Sequence, residues 1–355
     1  MRSKLLLLVL AAGCDPTFDP APPVRLPYTA LAMAAVRDQT LIVTAAGEVE
    51  TEGTPVPLPT ASDGSTEPVL TLPPVLDVAS GRDHACAIAT TGVPFCWGDH
   101  TNGALGASRV CTADPNGGAP NCILDASPVS TLPAMRELAA GTEFTCGIAF
   151  DDRVFCWGRG GAWLGGAQVP AFAPPTPVLV DGQPLLASRL VGHASTMCAI
   201  DHAATAWCWG AAYGASPSRK LEGVIDLALG DRHNCAITAA DGLFCWGDNT
   251  NGQCGDIVGA RTCGNTCRVE ATSIPLAARR VAVGERHTCA LTTDSEVYCW
   301  GSNEVGQLGR TDAFLLGDLG LVVGNAVDLV AGYAHTCALT DGGSAWCWGA
   351  YLSAN

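Results

Sequence analysis

Six cysteine pairs with one fixed spacing constrain this chain more than anything else in it. In each, a cysteine is followed ten positions later by a second that opens Cys-Trp-Gly: Cys86 and Cys96, Cys146 and Cys156, Cys198 and Cys208, Cys235 and Cys245, Cys289 and Cys299, Cys337 and Cys347. Each pair brackets two apolar runs around a turn rich in Thr, Asp and Gly, as in HTCALTTDSEVYCWG, which is the pattern of a β-hairpin. A unit recurring every ~40–60 residues indicates a propeller, solenoid or array. Opposed residues at a non-hydrogen-bonded pair of an antiparallel hairpin lie close enough for a disulfide, so the spacing predicts one staple across each hairpin.

The aromatic before each second cysteine is Phe95, Phe155, Trp207, Phe244, Tyr298 or Trp346, and the tryptophan after it is Trp97, Trp157, Trp209, Trp246, Trp300 or Trp348. Side chains alternate along a strand, so both aromatics share one face and the cysteine takes the other. A strand apolar on both faces suits blades stacked face to face. A sugar-stacking platform is the competing reading, but the recurrence of the aromatics in every unit favours inter-blade core. A seventh unit without cysteines lies at Arg37 to Gly53, where Leu41 and Thr51 hold the cysteine positions and Glu52 that of the tryptophan. The last unit lacks the segment that follows Trp-Gly elsewhere, and PPVRLPYTALAMAAV before the first unit resembles it. N-terminal strands that complete the final blade would close the ring and remove its open edges.

The start of the chain reads as an export signal. Arg2 and Lys4 form a positive region, Leu5 to Ala12 a short apolar run, and Ala11 to Cys14 a small-residue site ending in cysteine. The apolar run is too short to span a bilayer. The site is similar to a bacterial lipoprotein box in which Cys14 is lipidated, although Leu10 stands four residues before the cysteine and Ala11 holds the usual leucine position. An ordinary cleaved signal peptide is the alternative. The expected division is 1–13 signal peptide, 14–27 proline-rich tether or lead-in segment, and 28–355 propeller. Eighteen cysteines agree with an oxidising compartment. A net charge of −15 argues against nucleic-acid binding, which needs a basic footprint; a monomer is expected.

Each unit begins with glycine, two variable residues and usually histidine, and its aromatic-x-Trp-Gly can be followed by Asn-x-x-Gly-Gln-Leu-Gly. Asn303 to Gly309, NEVGQLG, matches that element in full, and Asn249 to Gly255, NTNGQCG, matches except at Cys254. His100 to Gly106 matches at Gly103, Leu105 and Gly106. These residues resemble the regulator of chromosome condensation repeat family over nearly all of Val24 to Tyr351, and the extra cysteine pairs resemble an exported bacterial branch of it. The resemblance implies an all-β, seven-bladed propeller of four-stranded antiparallel blades that grips a protein on one face of the ring. Two units depart from the pattern: Phe144 replaces the histidine in one, and GHASTMC from Gly192 is one residue longer.

Two units carry long loops, CTADPNGGAPNC from Cys111 to Cys122 and CGNTC from Cys263 to Cys267, followed by the alignable CILDASPV and CRVEATSI. Cys111–Cys122 and Cys263–Cys267 disulfides are therefore expected, with Cys254 buried at a leucine position. His-x-Cys at His84, His233, His287 and His335 could suggest metal ligation, but zinc needs its thiolates at one point and here each has a hairpin partner. The histidines are expected to satisfy backbone groups instead. Asp151 and Asp152 fall at a hairpin turn, where Asp is a turn former. No catalytic residue, metal site or cofactor is assigned.

The positions between glycine and histidine are the candidate partner face: Arg82 and Asp83, Thr142 and Glu143, Asp231 and Arg232, Glu285 and Arg286, and Tyr333 with Ala334. Their mixed charge suits a polar protein interface, although solvated loops would look similar. The favoured reading is an exported, lipid-anchored scaffold that binds a protein at the bacterial cell envelope. The alternative is an envelope-polysaccharide hydrolase or lyase with carboxylates converging at the channel mouth.

Overall fold

The computed structural model describes residues 23–36, 39–53, 72–106, 123–159, 172–211, 213–240, 242–255, 268–310 and 320–350. Cys14, Cys111, Cys122, Cys263 and Cys267 lie outside them, so the lipidation and loop-disulfide expectations do too. The chain forms seven antiparallel blades around a central channel. Blade 2 comprises Val75–Ser80, His84–Ala89, Pro94–Asp99 and Ile123–Pro128, counted from the channel outward. Blades 3 to 6 repeat this order, with inner strands Met135–Ala140, Arg189–His193, Val224–Ala228 and Ala278–Val283. Blade 7 supplies only Ala326–Ala331, His335–Thr340 and Ser344–Gly349.

The first strand, Val24–Val36, closes the ring and serves two blades. Its start pairs with Ser344–Gly349, Val24 facing Cys347 and Thr29 facing Ser344, and so completes blade 7. From Ala30 onward it pairs with Gln39–Thr44 as the inner strand of blade 1. The strand begins at Val24, inside the segment read as tether or lead-in. Among the described residues no helix is long and apolar enough to cross a membrane.

All six cysteine pairs face one another directly across the hairpins and form disulfides, each with Cα atoms 4.1 Å apart. Trp97, Trp157, Trp209, Trp300 and Trp348 are fully buried between blades, whereas the aromatics two residues earlier are half-buried apart from Phe155. The Asn-x-x-Gly-Gln-Leu-Gly loop of one blade docks on the tryptophan of the next. The Trp300 indole donates to the Gln253 carbonyl at 3.0 Å and that of Trp348 to Gln307 at 2.9 Å. Gly309, at φ +65, ends one such loop, where a Cβ would lie 2.9 Å from the Trp348 ring. Blade 4 lacks this loop; Trp246 of blade 5 is consequently half-buried and lines a gap of about 210 Å³ with Tyr213, Leu221 and Leu229. Cys254 is buried where leucine was expected, its N–H donating to Asn249 Oδ1 at 2.8 Å and its thiol to the Asp248 carbonyl at 3.3 Å.

The histidines add a contact beyond the backbone role expected of them. They begin the second strand of blades 2, 5, 6 and 7, and each ring meets a side chain of the next blade, the His287 ring engaging the His335 backbone as well. His84 Nε2 lies 2.8 Å from Thr145 Oγ1, His233 2.6 Å from Thr288, His287 2.8 Å from Thr336, and His335 2.8 Å from Thr40, the last contact joining blade 7 to blade 1. Thr288 Oγ1 itself donates to the Gln253 carbonyl at 2.8 Å, so His233 must be the donor to Thr288. Where blade 3 has Phe144 in place of histidine, blade 4 has Met197 in place of threonine, and both are fully buried in one apolar cluster. The leading glycine makes room for the ring, since a Cβ on Gly284 would sit 2.1 Å from His287 Cε1.

Candidate functional site

The inner strands run from one end of the channel to the other and deliver their Gly-x-x-His loops to the same end. The candidate face residues therefore form one belt around the mouth, cross-linked from blade to blade. Arg82 contacts Asp83 and reaches Glu143 of blade 3 at 3.7 Å; Glu143 also contacts Arg159. The Thr142 N–H donates to the Ala194 carbonyl of blade 4 at 2.7 Å. His193 lies 3.2 Å from Asp231 of blade 5. Arg232 bonds Glu285 of blade 6 at 2.9 Å and lies 3.4 Å from Asp248, while Arg286 lies 3.6 Å from Glu285 and 3.9 Å from Glu304. Tyr333 of blade 7 hydrogen-bonds Glu285, which raises the phenol pKa, and its carbonyl accepts from the Glu285 N–H at 3.0 Å.

Pairing sorts these charges by depth. The side chains of Glu143 and Glu285 are 14% and 11% exposed, against 36% for Arg82, 41% for Arg232 and 38% for Arg286. Glu143 and Glu285 lie beneath, and the guanidinium groups and the Tyr333 ring stand above them, level with the exposed Asp83 and Asp231. Exposed ion pairs of this kind contribute little stability, about 0–1 kcal/mol each. Their consequence is orientation: the arginines are held in place before a partner arrives, which lowers the ordering cost of binding.

The channel is a cavity of about 480 Å³ lined by the seven inner strands. At one height each blade contributes an equivalent residue, fixed by its pairing with the second strand: Ala32, Asp77, Glu137, Arg189, Asp226, Arg280 and Asp328 in blades 1 to 7. Periodicity did not single them out. Repeat alignment could have, because all six charged residues fall at one position. Asp226 contacts Arg189 and lies 3.9 Å from Arg280, which is 3.3 Å from Asp328. Glu137 accepts the Leu190 N–H at 2.7 Å, Asp226 the Val281 N–H at 2.7 Å, and Asp77 the Val78 and Leu138 N–H groups, so the acids reach the backbone of the following blade. Burial raises the pKa of Glu137 and Asp226, while their arginine and backbone neighbours oppose the shift. Asp77 is pushed up to about 7, first by burial and then by Glu137 and Asp328. Asp151 and Asp152 remain at their turn, engaged by Arg153 at 2.8 Å and by Arg136 at 2.9 Å, and are not brought to the channel carboxylates.

The sequence matches the family model for the regulator of chromosome condensation (RCC1) repeat at residues 75–104, 136–162, 224–253, 278–307 and 326–350. It is 29% identical over 217 residues to the ultraviolet-B receptor UVR8 of Arabidopsis thaliana, covering 51% of this chain and 45% of the receptor, so the chain spans less than half of that relative's length. Human WBSCR16 superposes with a TM-score of 0.70 at 16% identity, covering 92% of this chain and 88% of the other. Prp20p of Saccharomyces cerevisiae, whose structure was described with its binding to Gsp1p and histones, superposes with a TM-score of 0.61 at 20% identity over 78% and 72% of the two chains. Repeat grammar, blade order and these matches agree that the chain belongs to the regulator of chromosome condensation repeat family, as a seven-bladed propeller.

Proposed function

We propose that this protein is an exported scaffold that binds a protein partner through its Gly-x-x-His belt, held at the bacterial cell envelope by a lipid on Cys14. The belt carries the reading. Arg82, Arg232 and Arg286 are set in place over shielded carboxylates, a pre-ordered polar face of the kind that gives specificity and fast association. That Prp20p binds Gsp1p and histones supports a protein as the ligand. Six disulfides support an oxidising compartment.

Carboxylates do line the channel, as the enzymatic alternative requires. All four, however, are engaged by arginine or by backbone N–H groups. A two-carboxylate hydrolysis needs a separate acid and base facing one bond, and binding is the reading the geometry supports better. The test is affinity capture from envelope extract with the mature protein and an Arg82→Ala/Arg232→Ala/Arg286→Ala variant. Loss of the captured species in the variant is expected; unchanged capture would show the belt is not the interface. Mass analysis of the N-terminal peptide checks Cys14 acylation, and a Cys14→Ala variant released from membranes is the expected companion result.

A further inference from the structure

The end of the ring opposite the belt has a different chemistry. Six of the seven inner strands shift register by one residue at the same height, just before the charged ring. The extra residue of four of these bulges turns outward: Leu31, Leu76, Ile225 and Val327 are exposed at 55%, 53%, 51% and 38%. A bulge re-aims a side chain that alternation would otherwise bury. Here it does so four times around one rim. Phe150, 65% exposed, stands at the same end, its N–H donating to the carbonyl of Ala134 beside the start of the blade 3 inner strand. A repeated exposure of large apolar side chains on one face marks an interaction surface.

The two remaining bulge residues are arginines, and they are turned to the scaffold. Arg136 donates to the Ala187 carbonyl at 2.7 Å and Arg279 to the Ala326 carbonyl at 2.9 Å, each tying its blade to the next. Arg136 also meets Asp152 at 2.9 Å and Glu137 at 3.7 Å. Inside the rim, four carboxylates face two guanidiniums at the height of the charged ring, and the imbalance is one-sided. Arg189, Asp226 and Arg280 alternate in blades 4 to 6, whereas Asp328, Ala32, Asp77 and Glu137 run through blades 7, 1, 2 and 3; Asp328 is answered by Arg280 at 3.3 Å and Glu137 by Arg136 at 3.7 Å, which leaves Asp77 as the carboxylate of the arc with no cation beside it among the described residues. Ala32 leaves space in the middle of that arc, and the cavity of about 480 Å³ opens beside it. Asp77 makes no ion pair among the described residues within 4 Å; its carboxylate rests on two backbone N–H groups.

We propose that this end is a second protein-binding surface, which seats a loop presenting a lysine or arginine among apolar side chains. The apolar side chains lie on the rim of Leu31, Leu76, Ile225 and Val327, and the cation enters the channel beside Asp77. Charge complementarity selects this occupant: an apolar rim alone would take any greasy patch, but the Asp77 carboxylate within it, beside Glu137 and Asp328, favours a cation at the centre. A ring with chemically distinct ends can hold two partners at once. The surface does not depend on the Gly-x-x-His belt, and the two can fail separately.

The probe is a disulfide-cyclised peptide with a Leu-Lys-Leu tip, titrated by calorimetry into the full exported protein with its disulfides intact. Its twin carries ε-acetyl-lysine at the tip. Saturable binding of the lysine peptide is expected, weakened at least tenfold by acetylation, by Asp77→Asn and by Leu76→Ser/Ile225→Ser, and unchanged by Arg232→Ala/Arg286→Ala. The acetylated twin reports on the cation requirement without altering the protein, so a variant that folds poorly does not remove the test. Equal affinity for both peptides, absence of saturable binding, or loss in the belt variant with none in Asp77→Asn would each overturn the proposal.

Discussion

Thr288 stands between two parts of the neighbouring blade, accepting from His233 and donating to the Gln253 carbonyl. All three groups are buried. Thr288→Val keeps the shape and removes both bonds, leaving the buried His233 donor unanswered while the Gln253 carbonyl keeps the Trp300 indole, so a loss of about 1–3 kcal/mol is expected. Urea denaturation checks it, and an unchanged midpoint would mean that water takes over the hydroxyl's role. The same burial sets the response to acid. His84 and His287 are depressed to about 4, and His233 and His335 to about 3, chiefly by desolvation. The unfolded chain takes up these protons near 6.5 while the folded ring refuses them. Their contribution to stability is thus complete above that pH and is lost as pH falls toward 4. Asp77, raised to about 7, acts with the opposite sign: it favours the folded state at low pH and disfavours it as it ionises between about 4 and 7. Asp77→Asn should therefore steepen the loss of stability on acidification, measured as melting temperature against pH from 7 to 4.

At the scale of the element, the hairpin is the unit the sequence describes most fully. Cys289 and Cys299 oppose each other as their spacing requires, and closing so short a loop stabilises by about 2–3 kcal/mol on the chain-entropy model. Cys289→Ser/Cys299→Ser should lower the denaturation midpoint by a corresponding amount, with blade 6 most affected; an unchanged midpoint would show that packing alone holds the hairpin. The cysteines, the tryptophans and the unit of Leu41 were legible because each is a matter of local order along one strand. The inner strands were not. In VLDVAS, Val75 is buried, Leu76 exposed and Val78 to Ser80 buried in succession, a pattern that follows neither period, because the bulge shifts the alternation midway. The channel ring was hidden for the same reason, and the histidine–threonine contacts because their partners come from another blade. The candidate face was legible as a set of positions; which of its charges lie beneath and which above came only from the fold.

At the scale of the whole molecule, the ring is uneven. Blades 5 to 6 and 6 to 7 are joined by a histidine–threonine contact and a docked loop. Between blades 4 and 5, Thr196 takes the histidine position, Asn234 takes that of the threonine, and the docking loop is missing. Across that seam run an apolar cluster of Cys198, Ile200 and Ala206 with Val224, Leu227 and Ala236, the Val224 N–H bond to the Ala204 carbonyl at 2.8 Å, the contact of Arg189 with buried Asp226, and the pair of His193 with Asp231. Amide hydrogens of the second and third strands of blade 5 should therefore exchange faster than their equivalents in blade 6, since local opening follows the density of buried contacts. Hydrogen exchange by mass spectrometry resolves the two, and equal protection would mean that the apolar cluster and the inner ion pair suffice to hold the seam.

The strand Val24–Val36 lends its first half to blade 7 and its second half to blade 1. During synthesis it emerges long before its partner Ser344–Gly349, and until that partner arrives it has nowhere to lay its leading residues. Closure of this loop is the most distant strand pairing among the described residues and carries a large search in conformational space. A ring of this design must wait, with one sheet edge bare, for its last strand to be made.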